Sequence, residues 1–318
     1  MISTGEHVRE VAGELAGTEI VSLSAAGAGA NSRIFRVETA QACYALKCYP
    51  ALPGDTRKRA EVEWGALSFL RSRGVGRVPE PYARDARGQF MLMEWIEGAP
   101  VRQHTACDLR QAADFLTQVF ALSADPEAGA FPLASEACLS AAAVIRQIED
   151  RLTQFVPDKA LERFLDEVFA APFAAAKRRF ESARVELPPC LRRLTPADFG
   201  FHNVLRQPDG RLRYLDFEYF GWDDPAKVTA DFILHPAMNL SLADRRFFVD
   251  RVVAALPSDR EFAARLQHNM MLYALRWVLI LFNPFRRDRS GELPSGEGRA
   301  ALLVSRIDKA RTVLERAG

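Results

Sequence analysis

The sequence has no run of about 18 uninterrupted apolar residues, and its opening stretch MISTGEHVREVAGELAG lacks the basic start and apolar centre of an export signal. No membrane span is expected, and the chain reads as cytoplasmic. Cysteine is sparse: Cys43, Cys48, Cys107, Cys138 and Cys190 are odd in number, scattered and without a C-x-x-C pair. Idle thiols in a reducing compartment are therefore expected rather than a disulfide framework. The five histidines show no H-E-x-x-H spacing, which argues against a zinc enzyme. Net charge is also missing. With 42 basic and 41 acidic residues the balance is +1, so no global field recruits nucleic acid or an anionic membrane. There is no Gly-Lys-Ser/Thr phosphate loop, no internal repeat and no low-complexity tract.

What is present is a globular composition: 318 residues, 48% of them apolar, enough for a sizeable core and two lobes. Residues 5–16 show the spacing of a short amphipathic helix through Val8, Val11, Ala12 and Leu15. Strand-like residues 20–23 and 33–37 then flank a loop of small residues, 25–32, that includes Gly27, Gly29, Asn31 and Ser32. Small residues leave backbone amides open to phosphate, although an ordinary hairpin turn fits them equally. A dinucleotide-binding reading fails because a strand and not a helix follows the loop. In the next strand, 42–49, Lys47 is the one charge amid apolar residues. Residues 56–73 read as a helix in which Glu63 shares a face with Ala60, Leu67 and Leu70. An inward carboxylate wants a cation, and Lys47 is the natural one. Glu61, on a different face, is the second candidate, and a snorkelling edge lysine is the plain alternative.

The densest chemistry lies between Leu194 and Pro225. Asp198 and Asn203 are five positions apart and Asp216 follows thirteen later. Residues 204–207 and 211–216 read as two short strands joined by Pro208-Asp209-Gly210, a hairpin that brings Asn203 and Asp216 together at its open end. Phosphoryl transfer from a metal-bound nucleoside triphosphate needs such a set. Asp198 would orient or deprotonate an acceptor hydroxyl, while Asn203 and Asp216 would be hard oxygen ligands for Mg²⁺. Aspartates that merely cap turns are the alternative. From about residue 104 the chain is helical almost throughout, with segments 106–123, 136–154, 159–183 and 259–282 and a final helix.

The D-x4-N loop followed by D-F resembles the eukaryotic-type kinase fold. The later D-D-P-A with Asp231 downstream is similar to the aminoglycoside phosphotransferase and choline kinase family, usually written H-G-D-x4-N, then I-D-x-x, then G-D-P-x-x-D. Y-A-L-K around Lys47 is similar to the kinase V-A-I-K. The resemblance covers roughly residues 20–282. Three positions depart from it: Pro196 stands where the His is common, Glu218 follows Asp216-Phe217 where Gly is common, and Asp223 replaces the Gly of G-D-P. The first bears on how the loop is braced, not on which group meets the substrate.

The resemblance implies an α+β, bilobal protein-kinase-like fold. Residues 1–98 would form a small β-rich N-lobe with one main helix, and residues 99–318 a large, mainly helical C-lobe. It implies ATP and Mg²⁺ as cofactors, with Lys47 and Glu63 paired at the triphosphate. Backbone groups of Glu94 and Ile96 would meet the adenine edge with Met93 beside the ring, though a plain core strand fits 89–98 as well. Asp231 would brace the catalytic loop, and the helix carrying Tyr273, Arg276 and Trp277 would line an acceptor pocket or simply be core. Only eight residues separate Asp216 from Pro225 and no A-P-E follows, so the expected acceptor is the hydroxyl of a small molecule rather than a protein. Sugar, amino alcohol, amino-acid-like and aminoglycoside acceptors stay open. Glu218, Asp223 and Asp224 would favour a cationic one, and Arg286, Arg287 and Arg289 an anionic one. A nucleotide-binding pseudokinase acting through partner contacts and a protein kinase are the alternative functions.

Overall fold

The computed structural model describes residues 5–28, 32–50, 57–180 and 185–317, in two compact units. The first comprises Met1–His104, Gly129–Ser135 and Pro196–Gly221; the second comprises Thr105–Ala128, Glu136–Thr195 and Trp222–Gly318. The sequence division at 98/99 assigned the Asp198–Asp216 stretch to the helical half. In the structure that stretch groups with the N-terminal sheet.

The first unit is built on a five-stranded sheet of β1 (Ser22–Ala28), β2 (Arg33–Glu38), β3 (Cys43–Cys48), β4 (Pro81–Arg84) and β5 (Phe90–Glu94), ordered β1-β2-β3-β5-β4 with antiparallel pairing throughout. The loop expected from Ala25 begins later, because Ala25–Ala28 continue β1 opposite Phe35, Ile34 and Arg33. The ladder is made by backbone groups, so small side chains do not prevent it, and a register shift between Ala25 and Gly27 absorbs the irregularity. Helix α1 (Gly5–Ala16) lays Val8, Val11 and Ala12 against Val37, Leu46, Phe90 and Leu92 of the sheet. Side chains alternate along a strand, so Leu46 turned toward α1 sends Lys47 to the opposite face.

Helix α2 (Arg59–Ser72) serves that opposite face. Its buried residues Ala60, Glu63, Ala66, Leu67 and Leu70 recur at helical spacing and leave Glu63 inside. The helix stops where Gly74 adopts φ +76° and the Val75 N–H donates back to the Leu70 carbonyl at 3.0 Å, a conformation glycine tolerates without strain. A second small sheet joins β6 (Ala99–Pro100) to the hairpin Val204–Arg206 and Leu212–Tyr214, in register Val204↔Tyr214, Leu205↔Arg213 and Arg206↔Leu212. The turn is the expected one, with Gly210 at φ +84° and its N–H on the Gln207 carbonyl at 2.9 Å. The chain leaves this unit through Gly221. A Cβ there would lie 2.5 Å from the Pro132 carbonyl oxygen and 2.6 Å from the Ala134 nitrogen.

The second unit is mainly helical. Helix α3 (Ala106–Ala121) opens with a Thr105/Asp108 capping box, and α4 (Ala141–Leu152) is capped by Ser140. The helix Phe262–Leu281 packs against α4, Pro225–Leu234 and Gly296–Glu315 and supplies much of the core. A buried charge network runs through it. Arg276 reaches Glu136 at 2.8 Å, Asp231 at 3.2 Å and the Gln147 side-chain oxygen at 2.9 Å. Lys227, 1% exposed, lies 3.1 Å from Asp223 and 3.3 Å from Asp231. Burial opposes ionisation of Glu136, but Arg276, Arg151 and Lys227 outweigh it and hold its pKa down to about 2. All five cysteines are free thiols. Among the described residues no helix is long and apolar enough to cross a membrane.

Two outcomes follow from this packing. Gly221→Ala forces backbone apart, and its unfolding midpoint in denaturant is expected to fall by an amount equivalent to about 1–3 kcal/mol. The second concerns Glu136, whose pKa drops from 4.5 toward about 2 on folding, so its contribution is full above 4.5 and is lost as pH falls through 2. Glu136→Gln is therefore expected to be less stable than wild type near neutral pH, with the two unfolding curves converging in acid.

Candidate active site

Lys47, 3% exposed, sits at the centre of the first unit's polar cluster. Its Nζ lies 2.6 Å from Glu63 Oε2, 2.7 Å from Asp216 Oδ1 and 3.4 Å from Glu218 Oε2. Burial works against the ammonium, yet the three carboxylates more than offset it and raise its pKa well above the ordinary lysine value. Glu63 is as deeply buried. Desolvation, helped by Asp216 and Glu218 and opposed by Lys47, pushes its pKa above the usual carboxylate range. The Glu63 carboxylate also accepts from the Tyr49 hydroxyl at 2.7 Å and from the Phe217 N–H at 3.1 Å. Thus one glutamate on α2 ties β3 to the Asp216 segment. Glu61 remains outside this cluster, bonded at the surface to Lys58.

Two members of the cluster were not singled out in the sequence, although both had a signal. Tyr49 lies two residues after Lys47 and so shares its side of the chain, with the ammonium 5.1 Å from the ring centroid. Arg59 lies four residues before Glu63 on α2, and its Nη1 stands 3.8 Å from Glu218 Oε1. Glu218, 2% exposed, is therefore held between two cations. Asp223 and Asp224 are likewise committed. Asp223 pairs with Lys227, while Asp224 caps the helix Pro225–Leu234 and accepts a two-pronged contact from Arg265 at 2.8 and 3.0 Å. The expectation that these three acids favour a cationic acceptor is thus not supported by their surroundings, since each faces an internal cation. Arg286, expected as an anion contact, pairs with Asp288 at 3.0 Å.

The hairpin does bring Asn203 and Asp216 together. The Leu215 N–H donates to the Asn203 carbonyl at 2.9 Å, one step beyond the Val204↔Tyr214 pair. Asp216 has φ +66°, a strained conformation for a non-glycine residue that turns its carboxylate onto Lys47. Asn203 Nδ2 donates to the Asp198 main-chain oxygen at 3.0 Å. The Asp198 carboxylate, 40% exposed, lies 3.0 Å from His202 Nε2. That contact raises the His202 pKa although burial works the other way.

The remaining sequence candidates divide. In β5, Met93 is 5% exposed and, just beyond it, Ile96 is 6% exposed. The Glu94 N–H is committed to the Glu80 carbonyl at 2.8 Å and its carboxylate to Arg213 at 2.7 Å. Gly27 lies within β1 and Ser32 is buried just before β2, whereas Gly29 and Asn31 fall outside the described residues. Asp231, expected to brace the catalytic loop, bonds Arg276 and Lys227 of its own unit. Tyr273 and Arg276 are buried at 1% and 4% exposure, Arg276 within the charge network, in line with a core role.

A family model described as the phosphotransferase enzyme family, APH, matches residues 22–266. The chain belongs to this family. It is a small-molecule kinase. No curated protein sequence matches it. Among solved structures it is similar to the choline kinase LicA from Streptococcus pneumoniae, at 17% identity and TM-score 0.62, covering 96% of this chain and 99% of that one. It is also similar to spectinomycin phosphotransferase in complex with ADP and spectinomycin, at 11% identity and TM-score 0.69, covering 98% and 97%. A third is the hygromycin-bound aminoglycoside phosphotransferase APH(4)-Ia, at 15% identity and TM-score 0.58, covering 98% and 99%. At these identities the likeness shows the fold, which is protein-kinase-like.

For this phosphotransferase, Lys47→Met leaves Glu63, Asp216 and Glu218 without their central cation. Removing one partner of a buried pair costs about 3–5 kcal/mol. Because Glu63 is then held charged only at a penalty, its folded-state pKa lies above its unfolded value. Stability is present below the unfolded pKa and lost as pH rises. The deficit relative to wild type in denaturant unfolding is therefore expected to be largest at alkaline pH and to shrink on acidification.

Proposed function

We propose that this phosphotransferase moves the γ-phosphoryl group of ATP to a hydroxyl of a small molecule, with Mg²⁺ as the metal. The observation that carries this reading is the meeting of Asn203 and Asp216 at the hairpin's open end while Asp216 is bonded to the Lys47–Glu63 pair. The donor set fits magnesium. The Asn203 amide nitrogen is engaged by Asp198, which leaves its carbonyl oxygen as the ligand atom, and Asp216 supplies a carboxylate. Glu63, Asp216 and Glu218 have oxygens within 4.8 Å of one another. Three carboxylates against Lys47 and Arg59 leave one excess negative charge when all are ionised, which a bound cation balances. When bound, the metal supplies charge neutralisation at the phosphates.

In this reading Lys47, fixed by Glu63 and Tyr49, offers its ammonium to the triphosphate. Asp198 accepts or orients the proton of the acceptor hydroxyl. Gly27, Gly29, Asn31 and Ser32 lie toward the phosphates, and Met93, the Glu94 carbonyl and Ile96 toward the base. The ADP- and AMP-bound relatives support nucleotide use. Relatives named for choline, spectinomycin and hygromycin support a hydroxyl-bearing small molecule without choosing among them.

The test is thermal unfolding with and without a non-hydrolysable ATP analogue and Mg²⁺, followed by phosphate transfer from labelled ATP to a panel of alcohols. A ligand at 100 times its dissociation constant is expected to add about 2.7 kcal/mol to wild-type stability, and Asp216→Ala to lose the metal-dependent part. Asp198→Asn is expected to keep the stabilisation and lose about 10²- to 10⁴-fold in turnover. Absence of any nucleotide response in the wild type would refute the proposal.

A further inference from the structure

Asp198 lacks a side-chain brace on its N-terminal side. Pro196 carries neither an N–H nor a polar side chain, Ala197 stands at φ +62°, and the Asp198 N–H turns back onto the Pro196 carbonyl at 2.9 Å. Support comes from the other direction, from the single helical turn Phe201–Asn203. The Asn203 N–H on the Gly200 carbonyl at 3.0 Å closes that turn, and the Phe201 ring is stacked on His104 with centroids 5.6 Å apart. The turn presents two adjacent donors to one residue. Asn203 Nδ2 meets the Asp198 main-chain oxygen at 3.0 Å, and His202 Nε2 stands 3.0 Å from Oδ1.

We infer that His202 is a positioning residue for Asp198, its Nε2–H fixing Oδ1 so that the carboxylate is held in one orientation toward the acceptor hydroxyl. An ionised carboxylate only accepts hydrogen bonds, so the proton of this bond sits on Nε2. The arrangement needs both donors. Asn203 fixes the backbone of Asp198 but leaves rotation of the carboxylate unrestrained, and His202 removes that rotation. The functional part of the inference rests on the phosphotransferase reading above; the pairing itself does not.

Two measurements separate them. The first is the nitrogen NMR spectrum of the imidazole in the full chain, in wild type and in Asp198→Ala. The expected wild-type signature is a His202 ring protonated at Nε2 and hydrogen-bonded there, lost in Asp198→Ala; identical His202 signals in the two proteins would overturn the pairing. The second is steady-state turnover of Mg-ATP, with an acceptor alcohol or with water, for His202→Leu and His202→Gln. Gln returns an amide N–H near the place of Nε2, whereas Leu fills the space without a donor. His202→Leu is expected to lose roughly 10²-fold in kcat, the scale of a misplaced catalytic group, with little change in KM for ATP. His202→Gln is expected to regain most of that loss. If Leu turns over like wild type, or Gln and Leu fall together, the positioning role is overturned while the phosphotransferase reading stands. A wild type with neither turnover nor nucleotide-dependent stabilisation overturns that reading and the catalytic role together, leaving the pairing to the NMR result.

Discussion

The first unit depends on a buried ammonium. Lys47 is taken out of water on β3 and can remain charged only because Glu63, Asp216 and Glu218 surround it. Each carboxylate comes from a segment that the ammonium thereby ties down. Glu63 belongs to α2, and Asp216 and Glu218 belong to the stretch that follows the hairpin. Hydrophobic burial would hold α2 against the sheet in many registers, since Ala60, Ala66, Leu67 and Leu70 offer an unspecific apolar stripe. The requirement that one glutamate meet one lysine selects among them. The Tyr49 hydroxyl and the Phe217 N–H then occupy further lone pairs of Glu63, so the carboxylate has little freedom left.

A second constraint acts on the hairpin. Its register, Val204↔Tyr214, is fixed by the turn at Gly210 and by alternation of buried Val204, Leu212 and Tyr214. A slip of one residue would send Tyr214 to the wrong face and carry Asp216 away from Lys47. The positive φ of Asp216 is the local cost of reaching that cation, and the ion pair with Lys47 offsets it. The geometry of the candidate site therefore follows from sheet register and one salt bridge, both properties of the fold.

Much of this was legible in the sequence, for identifiable reasons. A lone charge in an apolar strand and a lone acid on an apolar helix face announce each other, and Lys47 and Glu63 meet as expected. The helix 5–16 and the hairpin turn at Pro208-Asp209-Gly210 appear where periodicity and turn chemistry put them. Other features were not legible because they depend on which face meets which. Tyr49 and Arg59 carried only the weak signals of i,i+2 and i,i+4 spacing. The commitment of Asp223 and Asp224 to Lys227 and Arg265 needed the helix Phe262–Leu281 and its neighbours in place. Asp231 read as a brace for a loop, but it faces Arg276 forty-five residues on, a contact that no local pattern encodes. The length of β1 was missed because small residues look like a loop while their backbones pair perfectly well.

The site's acids also differ in a way that bears on their roles. Side-chain exposure rises from 2% at Glu63 and Glu218 to 31% at Asp216 and 40% at Asp198. Glu63 and Glu218 are closed in by internal cations and serve to place Lys47 and Arg59. Asp216 is shared, one oxygen on Lys47 and part of its surface open, as a residue that must hold both the protein and a metal would be. Asp198 is the most open of the four and is held by neutral or weakly charged donors from its own turn rather than by a buried lysine or arginine. A carboxylate locked into a strong ion pair is a poor proton acceptor, because its charge is already stabilised. The acid left with the lightest electrostatic restraint is thus the one best suited to meet a substrate hydroxyl, which is the place the proposed mechanism gives to Asp198.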